Sequence, residues 1–411
     1  MRLIYSLFVH LYSLAAWLSA MFSPKASKWV SGRKNQFEVL QQKALSSDQW
    51  LWFHASSLGE FEQGRPVIEA IKRQFPDYAI LLTFFSPSGF EIRKNYEFAD
   101  CVAYLPADTL AHARKFVDTF RPKAAFFIKY EFWFNYMLAL RQNDIPLFFI
   151  SARFRNKQHF FRSYGFWFRK QLKYVTHFFV QDEASSSLLS SIGITNSTTT
   201  GDTRFDRVAM LPATAKPFPD VAHFKGSRKL IIAGSTWPPD EKILSSLIAA
   251  LPEDWAMILA PHDVGANHIS SLSKSLKQTY QLYSVYNQNV SCKVLVIDSI
   301  GILSQVYQYA DFVYIGGGFG QSIHNIQEPV TFGCPVIFGP RYQKFSEAVD
   351  LIRLGGAFTV NNQGQLLETA QKLMQDETYR NQCSAVCTSY VSKQTGATDK
   401  IMNHLQQHLF N

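Results

Sequence analysis

Short apolar runs rich in β-branched and aromatic residues alternate with segments whose apolar positions recur every three to four residues. Trp50–Ala55, Ala79–Phe85, Cys101–Leu105, Ala124–Tyr130, Pro146–Ser151, His177–Gln181 and Ser197–Gly201 read as strands, and Pro66–Phe75 and Thr109–Phe120, lying between them, read as amphipathic helices. Periodicity lapses at 211–227, LPATAKPFPDVAHFKGS, which is expected as a linker. The alternation resumes with Lys229–Gly234, Ala256–Ala260, Val294–Asp298, Phe312–Gly316 and Pro335–Gly339, and the last stretch, 376–410, reads as helical. Continuous apolar strands alternating with helices predict parallel sheets covered on both faces, hence an α/β fold. Two such Rossmann-like domains facing across a cleft place ligands at the carboxyl ends of their strands.

Length agrees with that division, since 411 residues exceed one compact core and suit two domains of about 200 residues. Five cysteines without metal-ligand spacing point to a reducing compartment and away from a disulfide framework. The net charge of +9 is uneven: eleven Lys and Arg residues from Arg121 to Lys173 are opposed there by Glu131 and Asp144. Such a belt suits an anionic partner, whether phosphorylated lipid, acidic membrane surface or nucleic acid. Residues 3–22 are nearly uncharged and are followed by Lys25, Lys28, Arg33 and Lys34, the pattern of a membrane anchor with the body of the chain on the cytoplasmic side. Tyr5, His10, Tyr12, Ser13 and Ser19 leave a spanning helix and an interfacial helix both open.

Two segments carry candidate chemistry. The first is Gly316-Gly317-Gly318 running on to His324-Asn325-Ile326-Gln327-Glu328-Pro329, where glycines permit close approach of an anion and Glu328 can accept from ribose hydroxyls. A glycine-rich turn in an ordinary sheet would share the triplet, but the continuation and the strand after it point to a nucleotide-sugar site. The second is Ser56-Ser57-Leu58-Gly59-Glu60, which puts Glu60 at a strand-to-helix junction, where an acid commonly does no more than cap the helix.

Taken together, His54–Glu60, Lys129–Asn135, Ser151–Phe154, Gly201–Asp206, Ala233–Thr236 and His324–Pro329 closely resemble, in order, the 3-deoxy-D-manno-octulosonic acid (Kdo) transferases of lipopolysaccharide assembly. The resemblance implies GT-B architecture with an N-terminal membrane-associated helix. It implies an anchor over 1–24, an acceptor-binding domain over 25–210, the linker 211–227, and a CMP-Kdo-binding domain over 228–411 whose terminal helix packs back. The implied reaction is inverting transfer of Kdo from CMP-Kdo to a lipid A precursor (lipid IVA) at the cytoplasmic face of the inner membrane. Glu60 matches the family's catalytic base, and the CMP contacts fall on Pro261, His262, Ile300, Gly301, Ile302, Asn325, Ile326, Gln327 and Glu328. Arg153, with Lys129 and Arg155 behind it, is expected to hold acceptor phosphates. His262 stands where some relatives have arginine, and Ser151 and Arg155 depart from the commoner Asn-Ala-Arg-x-Ser form. The helix after the glycine triplet, His262 and Arg204 are expected to stabilise the departing phosphate without a metal or cofactor. The implied partners are CMP-Kdo, the lipid A precursor and the inner membrane, with no nucleic acid. A sugar-nucleotide 2-epimerase shares the architecture but needs no membrane contact, and a non-catalytic binder of anionic lipid would need neither Glu60 nor Glu328.

Overall fold

The computed structural model describes residues 1–410. The chain divides into two compact units, one comprising Met1–Asp206 and the stretch from Thr395 onward, the other Arg207–Gln394. In the first unit seven strands, β1 (Trp50–Ala55), β2 (Ala79–Phe84), β3 (Cys101–Tyr104), β4 (Ala124–Ile128), β5 (Leu147–Ala152), β6 (His177–Val180) and β7 (Ser197–Thr199), form a parallel sheet in the order β3-β2-β1-β4-β5-β6-β7. Every residue of β1, β2, β4 and β5 is buried, which is why these strands read as unbroken apolar runs. Alternate side chains feed two cores: Trp50, Trp52, Leu81 and Phe127 on one face, and Leu51, Phe53, Leu82 and Phe126 on the other.

Helix Ala397–His408 belongs to this first unit and adds Ile401, Met402 and Leu405 to the second of those cores. Its start is fixed by the Asp206 carboxylate, which accepts from the backbone N–H groups of Gly396 and Thr398 at 2.6 Å each. At the other end of the chain, helix Arg2–Ser19 turns Tyr5 and Val9 inward and leaves Leu3, Ile4, Leu7, Phe8, Leu11 and Leu14 exposed. Among the described residues no helix is long and apolar enough to cross a membrane.

The second unit carries β8 (Lys229–Thr236), β9 (Trp255–Pro261), β10 (Tyr280–Leu282), β11 (Val294–Val296), β12 (Phe312–Ile315), β13 (Val336–Phe338) and β14 (Ala357–Thr359), parallel in the order β10-β11-β9-β8-β12-β13-β14. The edge strands β10 and β14 escape the sequence reading because, unlike the equally short but fully buried β11 and β13, they are only partly buried and carry no continuous apolar run. Residues 211–227 are not an unstructured linker: Leu211–Thr214 and Pro219–Lys225 are helical, each with proline in its first turn, and the latter buries Val221 and Phe224. The prolines that look like linker punctuation act as helix starters, since the missing N–H is not needed there.

Each sheet reverses its order of strand addition beside its first strand, between β1 and β4 in one unit and between β8 and β12 in the other. The carboxyl ends of those strand pairs are the places where such sheets bind ligands. Leu405→Ala, which empties a fully buried position under the first sheet, should destabilise that unit by about 2–5 kcal/mol, read as a lowered urea midpoint.

Candidate active site

At the switch point of the first unit, β1 ends at Ala55 and the chain turns through Ser56 and Ser57 into helix Leu58–Gln74. Ser57 is extended and Glu60 is the third helical residue, so the Glu60 Oε2 atom accepts from the Ser57 N–H at 3.2 Å and from the Ser57 hydroxyl at 3.4 Å. Glu60 therefore does cap its helix. The same carboxyl is also largely buried and faces a second one.

That second carboxyl is Glu131, just past the end of β4 and 6% exposed. One of its oxygens accepts from Trp133 Nε1 at 2.6 Å and from the Ser56 hydroxyl at 2.5 Å, and lies 3.2 Å from His54 Nε2. His54 is fully buried on β1, its Nδ1 2.9 Å from the Thr83 hydroxyl. Thr83 donates to the Phe53 carbonyl and accepts from Trp52 Nε1, so His54 Nδ1 is the donor in its own contact with Thr83. The imidazole is thereby fixed edge-on to Glu131.

Burial alone would lift the Glu131 carboxyl, but the contact with His54, which with Nδ1 donating to Thr83 can also donate from Nε2 only as the imidazolium, and the hydrogen bonds from Ser56 and Trp133 outweigh it and hold the group below the usual glutamate range. Glu60 moves the other way: burial, then the negative charge of Glu131, push it up to about 7 against the opposing pull of Lys129. Two neighbouring carboxyls thus differ in kind, one fixed as an anion and one poised to exchange a proton near neutrality.

The expected acceptor cations lie beside this pair, at the carboxyl ends of β4 and β5. Lys129 has a left-handed backbone (φ 67°) and its ammonium is 5.3 Å from the Tyr130 ring centre, while the Arg155 guanidinium is 5.9 Å from the same ring. Arg153 pairs with Asp182 at 3.2 Å. The longer basic belt does not form one surface. Arg121 and Lys123 precede β4 and Arg141, paired with Asp144, precedes β5, so they belong to the opposite edge of the sheet from Lys129 and Arg153. Arg204, expected to help the departing phosphate, makes three hydrogen bonds to Asp202 through its guanidinium and one through its backbone N–H, and holds low the Asp202 carboxyl that burial would raise.

In the second unit the expected nucleotide contacts gather at the carboxyl ends of three strands: Pro261 and His262 at β9, Ile300, Gly301 and Ile302 beyond β11, and Asn325, Ile326, Gln327 and Glu328 beyond β12. Gly301 has φ 100° and Ile300 is 84% exposed. Trp237, at the end of β8, stacks on His262 at 4.6 Å, and His262 stacks on His324 at 4.5 Å. The Trp237 indole donates to His324 Nε2 at 2.9 Å, and burial, then His262, hold the His324 imidazolium down. Buried Asp240 joins the two sides, accepting from the N–H groups of Trp237 (3.0 Å) and Gly317 (2.9 Å) and from the Tyr314 hydroxyl (2.8 Å).

The glycine triplet departs from expectation in one respect. It runs into turns, and the next helix, Gln327–Thr331, starts only at Gln327, where the Asn325 side chain accepts from the Gln327 N–H at 2.9 Å. The expected short helix carrying Glu328 thus follows these turns rather than the triplet directly. Close packing accounts for the small residues, since a Cβ at Gly316 or Gly318 would collide with the backbone of Ser235 or Gly339. Gln327 is 1% exposed and neither polar atom of its amide has a protein partner. Among the described residues no group of three or more His, Cys, Asp or Glu is placed to hold a metal ion.

Sequence reasoning quotes His54, Glu131 and Trp133 within motifs but gives them no role, and it passes over Thr83, Trp237 and Asp240. Their function depends on strand neighbours far apart in the chain. The one local signal is the acid three residues after Trp237, which matches a helix start.

A family model described as 3-Deoxy-D-manno-octulosonic-acid transferase (kdotransferase) matches residues 31–207, the segment that holds both carboxyls and the three candidate acceptor cations. Proteins named 3-deoxy-D-manno-octulosonic acid transferase are similar along most of the chain. That of Haemophilus influenzae is 25% identical, covering 95% of this chain and 94% of its own, and that of Aquifex aeolicus is 24% identical over 82% and 91%. Among solved structures, UDP-GlcNAc 2-epimerase from Neisseria meningitidis superposes with TM-score 0.64 at 14% identity, covering 88% of this chain and all of that one, a likeness of fold alone.

Carbon-13 detection of the glutamate carboxyls should find Glu60 titrating near pH 7. In Glu131→Gln the midpoint should fall toward ordinary carboxylate values, because the neighbouring negative charge is gone. A Glu60 midpoint unmoved by that substitution would remove Glu131 as its cause.

Proposed function

We propose that the chain is a 3-deoxy-D-manno-octulosonic acid transferase that moves Kdo from CMP-Kdo onto the disaccharide of a lipid A precursor, a tetraacyldisaccharide 4'-phosphate. The observation that carries this reading is the unlike carboxyl pair at the switch point of the first unit, inside the segment the family model matches.

As the acceptor hydroxyl attacks the anomeric carbon of Kdo, its proton passes to Glu60. One C–O bond forms and the bond to the CMP phosphate breaks, with inversion. Glu131, already ionised and committed to His54, Ser56 and Trp133, keeps Glu60 basic enough to take the proton but does not compete for it. CMP leaves as an anion and needs positive potential and N–H donors rather than an acid, a role assigned to His262 and the loop beyond β12. No step calls for a metal or other cofactor.

Lys129, Arg153 and Arg155 are assigned to the acceptor's phosphates, where Arg153 can give up its contact with Asp182 for a bidentate one. The outward apolar face of helix Arg2–Ser19 supports an interfacial helix lying in the cytoplasmic leaflet of the inner membrane, where the acceptor resides.

The reading is tested with purified protein, CMP-Kdo and the tetraacyl acceptor, followed by mass spectrometry of the lipid. Wild type should add Kdo, whereas Glu60→Gln should turn over roughly 10²- to 10⁴-fold more slowly and still bind CMP. Wild-type turnover in Glu60→Gln would take the base role away from this residue.

A further inference from the structure

A cavity of about 750 Å³ lies in the first unit between helix Arg2–Ser19, the segment from Trp29 to Phe37, and the start of helix Leu110–Phe120. It is well within the size of small-molecule sites. Trp17, Trp29, Val30 and Phe37 give it apolar walls, and Arg33, Lys34, His10 and His112 supply its basic groups with no acidic residue in the lining.

Arg33 is the most telling of these. Its guanidinium donates to the carbonyls of Leu105 (2.9 Å), Trp29 (3.0 Å) and Phe85 (2.8 Å) and lies over the Trp29 ring at 4.0 Å and the Tyr104 ring at 4.8 Å. Carbonyls and rings solvate it, but no carboxylate among the described residues neutralises it, and burial pulls it down to about 9. A largely buried cation without a counter-ion is unfavourable unless an anion arrives. Two more demands go unmet at the same walls: the indole N–H of Trp29, itself 9% exposed, and both polar atoms of the Gln36 amide are buried without partners.

We propose that this cavity is a binding site for an anionic membrane phospholipid, its phosphate held by Arg33 and Lys34 and one acyl chain lying along Trp17, Trp29 and Phe37. The site borders the helix whose other face exposes Leu7, Phe8 and Leu11, so a lipid enters from the leaflet that this helix faces. It is separate from the carboxyl pair. Phe85 stands between Trp29 (5.7 Å) and Trp133 (4.7 Å), and Trp133 holds Glu131, so these rings wall the cavity off from the reacting groups. An acceptor that must present a hydroxyl to Glu60 sits on the far side of that wall. The site is independent of the chemistry at Glu60.

The test places the full chain in nanodiscs containing phosphatidylglycerol with a photoreactive group on one acyl chain and maps the adducts by peptide mass spectrometry. Adducts are expected on Trp29, Val30 or Phe37 as well as on the outward residues Leu7 and Phe8. Lys34→Gln should reduce the cavity adducts about fivefold, the effect of one basic charge on an anionic lipid, with no change at Leu7 and Phe8. Val30→Trp, which narrows the cavity at its apolar wall, should reduce them further, and thermal unfolding of each variant confirms that it is folded. Adducts confined to the outward residues, or cavity adducts indifferent to both substitutions, would overturn the proposal. Displacement of the cavity adducts by excess inorganic phosphate or by the tetraacyl acceptor would overturn it too, by assigning the site to a free anion or to the substrate.

Discussion

The site depends on a constraint of charge in a small volume: two buried carboxyls cannot both ionise at low cost, and here the surroundings decide which one does. Glu131 is chosen, because Trp133, Ser56 and His54 all direct donors or a polar ring edge at it. Glu60 keeps its capping contacts from Ser57 and bears the repulsion. Helix capping and raised proton affinity come from the same side chain, so the position of the proposed base is set by the start of its helix and its proton affinity by burial and by a residue just past another strand.

The second unit uses a related device for a different end. Asp240 is a buried carboxyl at the corresponding reversal in strand order, and it gathers three donors from the turn after β8, from β12 and from the glycine loop. Asp240 fixes the loop that carries the proposed nucleotide contacts relative to Trp237 and the stacked pair His262 and His324. In each unit the carboxyl ends of the two strands at the reversal in order, β1 and β4 or β8 and β12, are joined by a polar side chain rather than by packing alone, which suits a place that must stay open to ligand.

Much of the fold is legible in the sequence because the central strands are buried on both faces and so are written as apolar runs. What is lost is short or disguised: the three-residue strands at the edges of the second sheet, and the two proline-led helices within 211–227. The site is legible in a different way. Glu60 stands at a strand-to-helix junction that any reading notices, yet by itself the pattern means only a cap, and the family motifs are what raise it to a base. Glu131 carries no local mark at all. Its partners His54 and Ser56 are some 75 residues away and come beside it only because β1 and β4 are neighbours in the sheet. The basic belt fails for the converse reason, since residues close in sequence fall at opposite ends of short strands.

The measurement that bears most directly on this account is the pH dependence of kcat/KM for Kdo transfer between pH 5 and 9. A base raised by burial and by Glu131 predicts an ascending limb with an apparent midpoint near 7. A profile already flat from pH 5 upward, or the same limb persisting in the residual activity of Glu60→Gln, would contradict it.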